Sequence, residues 1–218
     1  MLMKDKVVII SGIGPGLGVE LALLAANEGA KAVVLAARTA SKLTDAAQQI
    51  AALGLGTKTL EVPTDIAKPE DCKNLVAKTV EAFGCVDALV NSAYIPGRFG
   101  SWEKWDFDDW RKTFDVNLFG SMTLAREAAK VMKDQPQRGA IVMVNSMVTK
   151  QVISAQAGYA TSKGALATAT TAMALELAPL GIRVNSCFMG WMWGANVKGF
   201  VEGMAAKSGV EPSVVKKG

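Results

Sequence analysis

The sequence predicts an α/β protein with a Rossmann-like, doubly wound parallel sheet between two layers of helices. Three observations support this fold class. Short β-branched runs alternate with longer amphipathic stretches, the first run ends in a cluster of glycines, and no repeat or linker divides the 218 residues. Strands buried on both faces read as continuous apolar runs, and their alternation with helices implies right-handed crossovers. We therefore expect one three-layer α/β/α domain over residues 1–218.

The first strand and the turn after it predict a dinucleotide site. The apolar run 7–10 leads into Ser11-Gly12-Ile13-Gly14-Pro15-Gly16-Leu17-Gly18, and residues 19–27 then have helical spacing. Glycines let the backbone approach a pyrophosphate, which sits at the positive N-terminus of the helix. The spacing is Gly12-x-x-x-Gly16-x-Gly18 rather than the common Gly-x-Gly-x-x-Gly.

The end of the second strand indicates which dinucleotide is bound. After the run 32–36 the chain has Ala37-Arg38-Thr39, where an NAD site usually has a carboxylate for the ribose 2′-hydroxyl. Arg38 can form a fork to a phosphate, with Thr39, Ser41 and Lys42 close by. NADP(H) is therefore favoured and NAD(H) remains possible. The alternative is that Arg38 is a solvated surface arginine.

The remaining elements place polar residues at strand ends, where doubly wound sheets bind ligands. Strands over 57–62, 88–90 and 141–144 run up to Asp65, Asn91 and Ser146. The predicted helices cover 41–53, 69–83, 108–132 and a stretch through Tyr159 and Lys163 to residue 180, followed by a strand over 183–188. Asn117 lies in the middle of the helix 108–132, either as a buried side chain that needs partners or as a surface asparagine.

Tyr159 and Lys163 are the candidate catalytic pair. Residues one helical turn apart share a face, and a cation beside a phenol favours the phenolate, so Lys163 is expected to lower the pKa of Tyr159. Ser146 reaches the same edge of the sheet. The alternative is an ordinary pair on a helix surface.

Composition excludes other chemistries and locations. Histidine is absent, which removes Ser-His-Asp and Cys-His systems and most zinc sites, so we expect no metal. The net charge of +4 is scattered, no apolar run is long enough for a bilayer, and no signal-peptide pattern opens the chain. We therefore expect a cytoplasmic protein without nucleic-acid or membrane partners. The three cysteines are far apart, as in a reduced compartment.

Taken in order, these residues resemble the short-chain dehydrogenase/reductase family in its compact single-domain branch. The resemblance covers nearly the whole chain. The matching motifs are Gly12-x-x-x-Gly16-x-Gly18, Asp65, Asn91-x-Ala93, Asn117, Ser146 and Tyr159-x-x-x-Lys163.

The resemblance implies a role for each site residue. Ser146 would bond the substrate oxygen, Tyr159 would give or take its proton, and Lys163 would also hold the nicotinamide ribose. Asn117 would help a water join a relay to Lys163. The implied cofactor-binding residues are Gly12, Gly16, Leu17, Gly18, Arg38, Thr39, Asp65, Ile66, Asn91, Ala93, Tyr159, Lys163 and Gly190. Asp65 and Ile66 would meet the adenine.

Four features depart from the family pattern. Ser11 replaces a threonine, and Met189-Gly190 replaces Pro-Gly. Ser92 and Tyr94 stand where asparagine and glycine are common, so Tyr94 either points away from the cofactor groove or shapes the substrate pocket. After Gly190 the chain reaches Gly218 without the expected final strand, so we expect that strand to be missing.

Function is predicted at the level of the reaction. We expect hydride transfer between the nicotinamide and a bulky apolar ketone or secondary alcohol, because aromatic residues crowd two loops; those aromatics could equally pack the loops together or form a subunit contact. The alternatives are a non-catalytic sensor or scaffold that binds a dinucleotide, and an epimerase or dehydratase that recycles its hydride. A homodimer or homotetramer is implied, with contacts through the helices around Asn117 and Tyr159.

Overall fold

A computed structural model describes residues 1–215 and divides the chain into two compact units, Met1–Phe188 and a second unit that begins at Met189. The strands are β1 Val7–Ser11, β2 Ala32–Ala37, β3 Lys58–Pro63, β4 Ala88–Asn91, β5 Ala140–Ser146 and β6 Arg183–Met189. They form one six-stranded sheet in the order β3-β2-β1-β4-β5-β6. The order reverses between β1 and β4, and the predicted doubly wound class is confirmed. A single domain over residues 1–218 stays a prediction.

Eight α-helices accompany the strands in residues 1–215. The first unit contains α1 Leu17–Asn27, α2 Ala40–Ala52, α3 Pro69–Phe83, α4 Phe107–Phe114, α5 Ser121–Met132 and α6 Ala157–Leu177. The second unit contains α7 Ala195–Ser208 and α8 Pro212–Val215, and its described part has no strand after β6. No helix in the described part of the chain combines the length and apolar character needed to cross a membrane.

Two apolar clusters form the two faces of the sheet. Val8 and Ile10 of β1 belong to the cluster with α1 and α2, whereas Val7 and Ile9 belong to the cluster with α3, α5 and α6. Successive side chains of a strand point to opposite faces, so a continuous apolar strand fills both layers. The three-layer arrangement follows from this alternation.

The long helix expected over residues 108–132 is interrupted. A π-helical segment, Asp115–Gly120, separates α4 from α5. It contains Asn117, which is 0% exposed. The expectation of one regular helix is wrong here because the wider turn directs Asn117 to partners outside the helix. Such turns often occur at functional sites.

The strand ends form a rim on one edge of the sheet. Ser11 pairs with Asn91, and Asn91 pairs with Met143. β5 continues past this level to Ser146, a rise of roughly 10 Å for three extended residues. The parallel register therefore places Ser146 beyond the turn that follows β1.

Candidate active site

The glycine turn between β1 and α1 is shaped by two close contacts. A Cβ on Gly12 would lie 2.4 Å from the backbone nitrogen of Ala93, and a Cβ on Gly18 would lie 2.3 Å from the carbonyl oxygen of Gly12. Both distances are far below van der Waals contact, so side chains are excluded at these positions. Gly12 and Gly18 thus pack the turn against the start of α1 and against the segment after β4.

Gly16 differs from these two glycines because the space beside it is open. Its φ of 106° lies in a region that side chains avoid, and a Cβ there would meet nothing within 4 Å. Gly16 caps α1 without a side-chain bond, and Leu17 is the first helical residue. The first backbone N–H groups of α1 therefore point to a cradle that suits a phosphate. The turn fits a dinucleotide pyrophosphate, as the sequence predicts.

Arg38 and Thr39 lie at the exposed end of β2. Within residues 1–215 the Arg38 guanidinium makes no hydrogen bond or ion pair, and Thr39 caps α2 without a side-chain bond. The stem of Lys42 passes 3.8 Å from the Cβ position of Gly14. Two cations are thus available at the edge of the glycine turn.

Asp65 and Ile66 follow β3. One carboxylate oxygen of Asp65 accepts a hydrogen bond from the backbone of Ala67 at 3.1 Å, and the Asp65 backbone donates to Asp71 at 2.9 Å. Ile66 is buried, and its carbonyl oxygen would lie 2.7 Å from a Cβ on Gly120. These bonds fix the segment between β3 and α3 against the π-helical segment.

The side chain of Asn91 forms its hydrogen bonds with other residues of the protein interior. Its side chain accepts a bond from Ser11 at 3.0 Å and donates to the Ser121 carbonyl at 3.0 Å. The whole residue is 2% exposed, so the amide is committed to these internal partners. Serine and threonine both carry the hydroxyl that donates to this amide, so Ser11 preserves the hydrogen bond.

Ser146 ends β5 with its hydroxyl at the rim. The oxygen accepts a bond from the Val148 backbone at 3.3 Å, and the Ser146 backbone donates to the Asn145 side chain at 3.0 Å. The Ser146 hydroxyl also faces the Tyr159 phenol, where it acts to lower the pKa of the phenol. The predicted contact between a strand tip and α6 is therefore present.

Tyr159 lies in the first turns of α6, next to Gly158. A Cβ on Gly158 would lie 3.0 Å from the Trp110 ring, so the small residue lets α4 pack closely on α6. Burial raises the pKa of Tyr159 above its usual value, against the lowering effect of Ser146. The sequence-based expectation that Lys163 lowers this pKa is wrong in this geometry, because the lysine does not contribute to the shift.

Lys163 is directed elsewhere, although it lies one turn along from Tyr159. Its ammonium donates to the Val144 carbonyl of β5 at 2.8 Å. The side chain is 3% exposed, and burial lowers its pKa from 10.5 to about 8. The ammonium is nevertheless still protonated at neutral pH, so a positive charge is held beside the strand tip.

Asn117 connects the π-helical segment to the rim. Its amide donates to the Ile95 carbonyl and to the Ser162 hydroxyl, both at 3.0 Å, and its oxygen accepts from the Ile95 backbone at 2.8 Å. Ser162 in turn donates to the Tyr159 carbonyl at 2.8 Å. Asn117 is thus a buried residue with partners rather than a surface asparagine.

Two residues of the site were not assigned roles from the sequence. Ser162 carries no predicted role, although its place between Tyr159 and Lys163 is a usable signal. The sequence leaves the direction of Tyr94 open; in the structure the centroid of its ring lies 5.9 Å from that of the Tyr159 ring. Tyr94 therefore belongs to the site and does not point away.

Two of the loop aromatics pack on neighbouring aromatic rings. Trp105 contacts Phe107 and Trp110, with centroid distances of 6.5 and 5.1 Å. In the second unit Trp191 stacks on Phe200 at 5.5 Å. Loop packing, the alternative considered for these residues, thus accounts for Trp105 and Trp191. Gly190 also lies in the second unit, directly after β6, and its contact with a cofactor stays a prediction.

Comparison with known proteins agrees with this geometry. Residues 6–203 match the short chain dehydrogenase family. An uncharacterised oxidoreductase of Staphylococcus aureus strain MRSA252 is 33% identical over 187 residues, which cover 85% of this chain and 77% of that protein.

Two solved structures are similar over almost the whole chain. NAD+-bound xylitol dehydrogenase superposes with a TM-score of 0.89 at 29% identity, covering 99% of this chain and 84% of the other. Levodione reductase has a TM-score of 0.89 at 27% identity, covering 98% and 81%. These relatives are oxidoreductases by name and give no support to a non-catalytic sensor or scaffold. By its sequence match, its sheet order and its rim residues alike, the chain belongs to the short-chain dehydrogenase/reductase family.

Proposed function

We propose that the protein is an NADP(H)-dependent oxidoreductase that interconverts a ketone and a secondary alcohol, with Tyr159 as the general acid/base. The observation that carries this proposal is that the Ser146 hydroxyl faces the Tyr159 phenol at the rim and acts to lower its pKa, one helical turn from the buried ammonium of Lys163. A substrate oxygen that meets both hydroxyls is held where a proton can be exchanged.

The raised pKa of Tyr159 assigns its resting role. A phenol with a raised pKa is protonated at neutral pH and can donate to a carbonyl oxygen that is gaining negative charge. Ser146 donates a second hydrogen bond to that oxygen. In the reverse direction Tyr159 must first lose its proton, so alcohol oxidation is expected to be favoured at alkaline pH.

The glycine turn and the rim would hold the cofactor. Gly12, Gly16, Leu17 and Gly18 supply the pyrophosphate cradle, and Asp65, Ile66 and the backbone at Asn91 and Ala93 line the adenine and ribose positions. When bound, the nicotinamide ring supplies or accepts the hydride. Asn117 keeps the π-helical segment and Ile95 in place, and its predicted part in a water relay to Lys163 remains part of this proposal.

NADP(H) is proposed over NAD(H) because of the end of β2. Arg38 is exposed and has no partner in the described residues, Lys42 lies close to the turn, and no carboxylate occupies position 37 or 38. The bound NAD+ of the similar xylitol dehydrogenase makes the choice worth testing directly.

Replacing Arg38 by Asp should reverse the preference between the two dinucleotides. The carboxylate repels a 2′-phosphate and accepts a bond from a 2′-hydroxyl, so we expect the Kd for NADPH to rise at least tenfold while the Kd for NADH falls. Tryptophan fluorescence during titration measures both constants. Arg183→Asp, at an exposed position of β6 without an ion pair in the described residues, is the control for charge alone. An unchanged ratio of the two constants would exclude Arg38 from the cofactor site.

The substrate is proposed to be bulky and apolar. Support comes from Tyr94, which is 50% exposed and lies next to the ring of Tyr159. An aromatic wall beside the proton donor favours an apolar ring over a small polar carbonyl. Because Trp105 and Trp191 pack on other rings, the support rests on this one residue of the first unit.

Replacing Tyr159 by Phe tests the mechanism. The variant keeps the ring but has no transferable proton, so we expect kcat to fall by roughly 10²–10⁴-fold. The measurement is the change in nicotinamide absorbance with a panel of cyclic apolar and small polar carbonyls, alongside dinucleotide affinity as the control for binding. Full activity in the variant would disprove the proposal, and activity confined to small polar carbonyls would disprove the substrate class.

We also infer a cytoplasmic homodimer or homotetramer. A groove of about 440 Å³ along α4 and the π-helical segment is lined by Phe107, Trp110, Arg111, Phe114, Asp115 and Phe119. Phe107 and Phe119 are 57% and 59% exposed. Exposed aromatic side chains around a groove are typical of subunit contacts.

A further inference from the structure

The backbone on both sides of Tyr94 is fixed. Before it, the Ser92 backbone donates to the Ser11 carbonyl at 3.1 Å. After it, Ile95 exchanges two hydrogen bonds with the Asn117 amide, at 2.8 and 3.0 Å. Tyr94 thus lies between two anchored positions of the backbone.

The ring of Tyr94 contacts both members of the catalytic pair. Its centroid is 5.9 Å from that of Tyr159, with an interplanar angle of 53°. The ammonium of Lys163 lies 5.8 Å from the same centroid. Both distances fall in the ranges of aromatic pairs and of cation–π contacts. Within residues 1–215 the Tyr94 hydroxyl makes no hydrogen bond, so these contacts belong to the ring.

The contact matters because Lys163 has few other partners. Its ammonium donates to the Val144 carbonyl, and burial lowers the pKa of the group without a contribution from any charged side chain of the described residues. Of the titratable groups, Tyr94 from the segment after β4 faces it and Tyr159 lies one helical turn before it on α6, while β5 presents the Val144 carbonyl. The negative face of an aromatic ring stabilises a buried cation that lacks a carboxylate.

We propose that Tyr94 is a positioning residue whose ring stabilises the charged ammonium of Lys163 in its place at the Val144 carbonyl. The glycine that is common at this position in the family has no ring to do so. The inference rests on the proposed function, since it gives Lys163 and Tyr159 their catalytic roles. It adds that this chain keeps its catalytic lysine charged partly through a ring supplied by the segment after β4.

Two variants separate the ring from its bulk. Tyr94→Phe keeps the aromatic face, whereas Tyr94→Leu keeps an apolar cover without it. NMR titration of lysine side chains in the protein without added dinucleotide measures the pKa of Lys163, and the signal is assigned by its loss in Lys163→Arg. We expect the wild-type value in the Phe variant and a value lower by about half a pH unit in the Leu variant, the size expected of a cation–π contact.

Equal pKa values in the Phe and Leu variants would overturn the proposal, and so would a higher value in the Leu variant, since the ring would then act only as a cover against water. Tyr94→Met carries the same expectation if the Leu variant does not fold. The test is independent of turnover. Wild-type activity in Tyr159→Phe would refute the proposed function. Equal pKa values of Lys163 in the two Tyr94 variants, together with loss of activity in Tyr159→Phe, would refute this inference alone.

Discussion

At the scale of single residues, the buried charge of Lys163 lowers the stability of the folded protein. The fold buries its ammonium against one carbonyl oxygen, and the pKa falls from 10.5 to about 8. Below pH 8 the lysine is charged in both the folded and the unfolded protein, so the full cost of burying the charge is present. Between the two pKa values the unfolded protein binds more protons, and stability therefore rises with pH. Such costs are common where a charge serves function.

Replacing Lys163 by Met should remove this pH dependence. As the pH rises from 8 to 10.5, the free energy of unfolding of the wild type is expected to rise by up to about 3 kcal/mol relative to that of the variant, since each pKa unit corresponds to about 1.4 kcal/mol. Urea unfolding followed by circular dichroism at several pH values measures the difference. Lys78→Met on the exposed face of α3 provides the baseline. A difference in unfolding free energy that stays constant with pH would contradict the buried-charge account.

At the scale of elements, the turn between β1 and α1 combines two kinds of glycine. Gly12 and Gly18 are required because neighbouring backbone leaves no room for a side chain, whereas Gly16 is required by its φ alone and faces open space. Only the second kind can be altered without disturbing the packing of the turn, so it isolates the effect on the cofactor.

Gly16→Ala should therefore weaken dinucleotide binding more than it weakens the fold. The unfavourable φ is expected to cost about 1–3 kcal/mol of stability, and the methyl group intrudes on the phosphate cradle. Gly54→Ala is a matched control, because Gly54 also has positive φ and open space but lies between α2 and β3. Calorimetric titration with NADPH should show at least a tenfold higher Kd for the first variant and no change for the second. Equal affinities of the two variants for NADPH would show that the pyrophosphate does not bind beside Gly16.

At the scale of the whole molecule, the proposed assembly would use an exposed aromatic face. The groove along α4 and the π-helical segment combines half-exposed aromatic rings with a few charges, as expected of a surface that a second copy covers.

Phe119→Asp should shift the protein towards the monomer. A carboxylate in the centre of an apolar contact is desolvated without a partner, which costs several kcal/mol per interface. Light scattering coupled to gel filtration measures the mass as a function of concentration. Leu24→Asp, on α1 in the opposite layer of helices, controls for a charge at an exposed apolar position. A mass that Phe119→Asp leaves unchanged would remove this face from the assembly.

The sequence determined the fold class and most of the site because both depend on local patterns. Continuous apolar runs predict strands buried on both faces, and residues at strand ends must share one rim in a parallel sheet. Ser146, Tyr159 and the glycine turn were therefore predictable from their positions alone. Asn91 also lies at this rim, but its side chain bonds within the interior, and its contact with a cofactor stays a prediction.

Only the tertiary structure decided how the polar groups divide their bonds. The π-helical turn at Asn117 depends on Ile95 and Ser162, which are distant in the chain, and helical spacing contains no sign of it. Likewise, one turn of helix brings Lys163 near Tyr159, but the carbonyl of Val144 and the ring of Tyr94 decide where the ammonium rests. A pattern along the chain fixes which residues share a face, whereas burial and competing partners, which set each pKa, arise only when separate segments pack together.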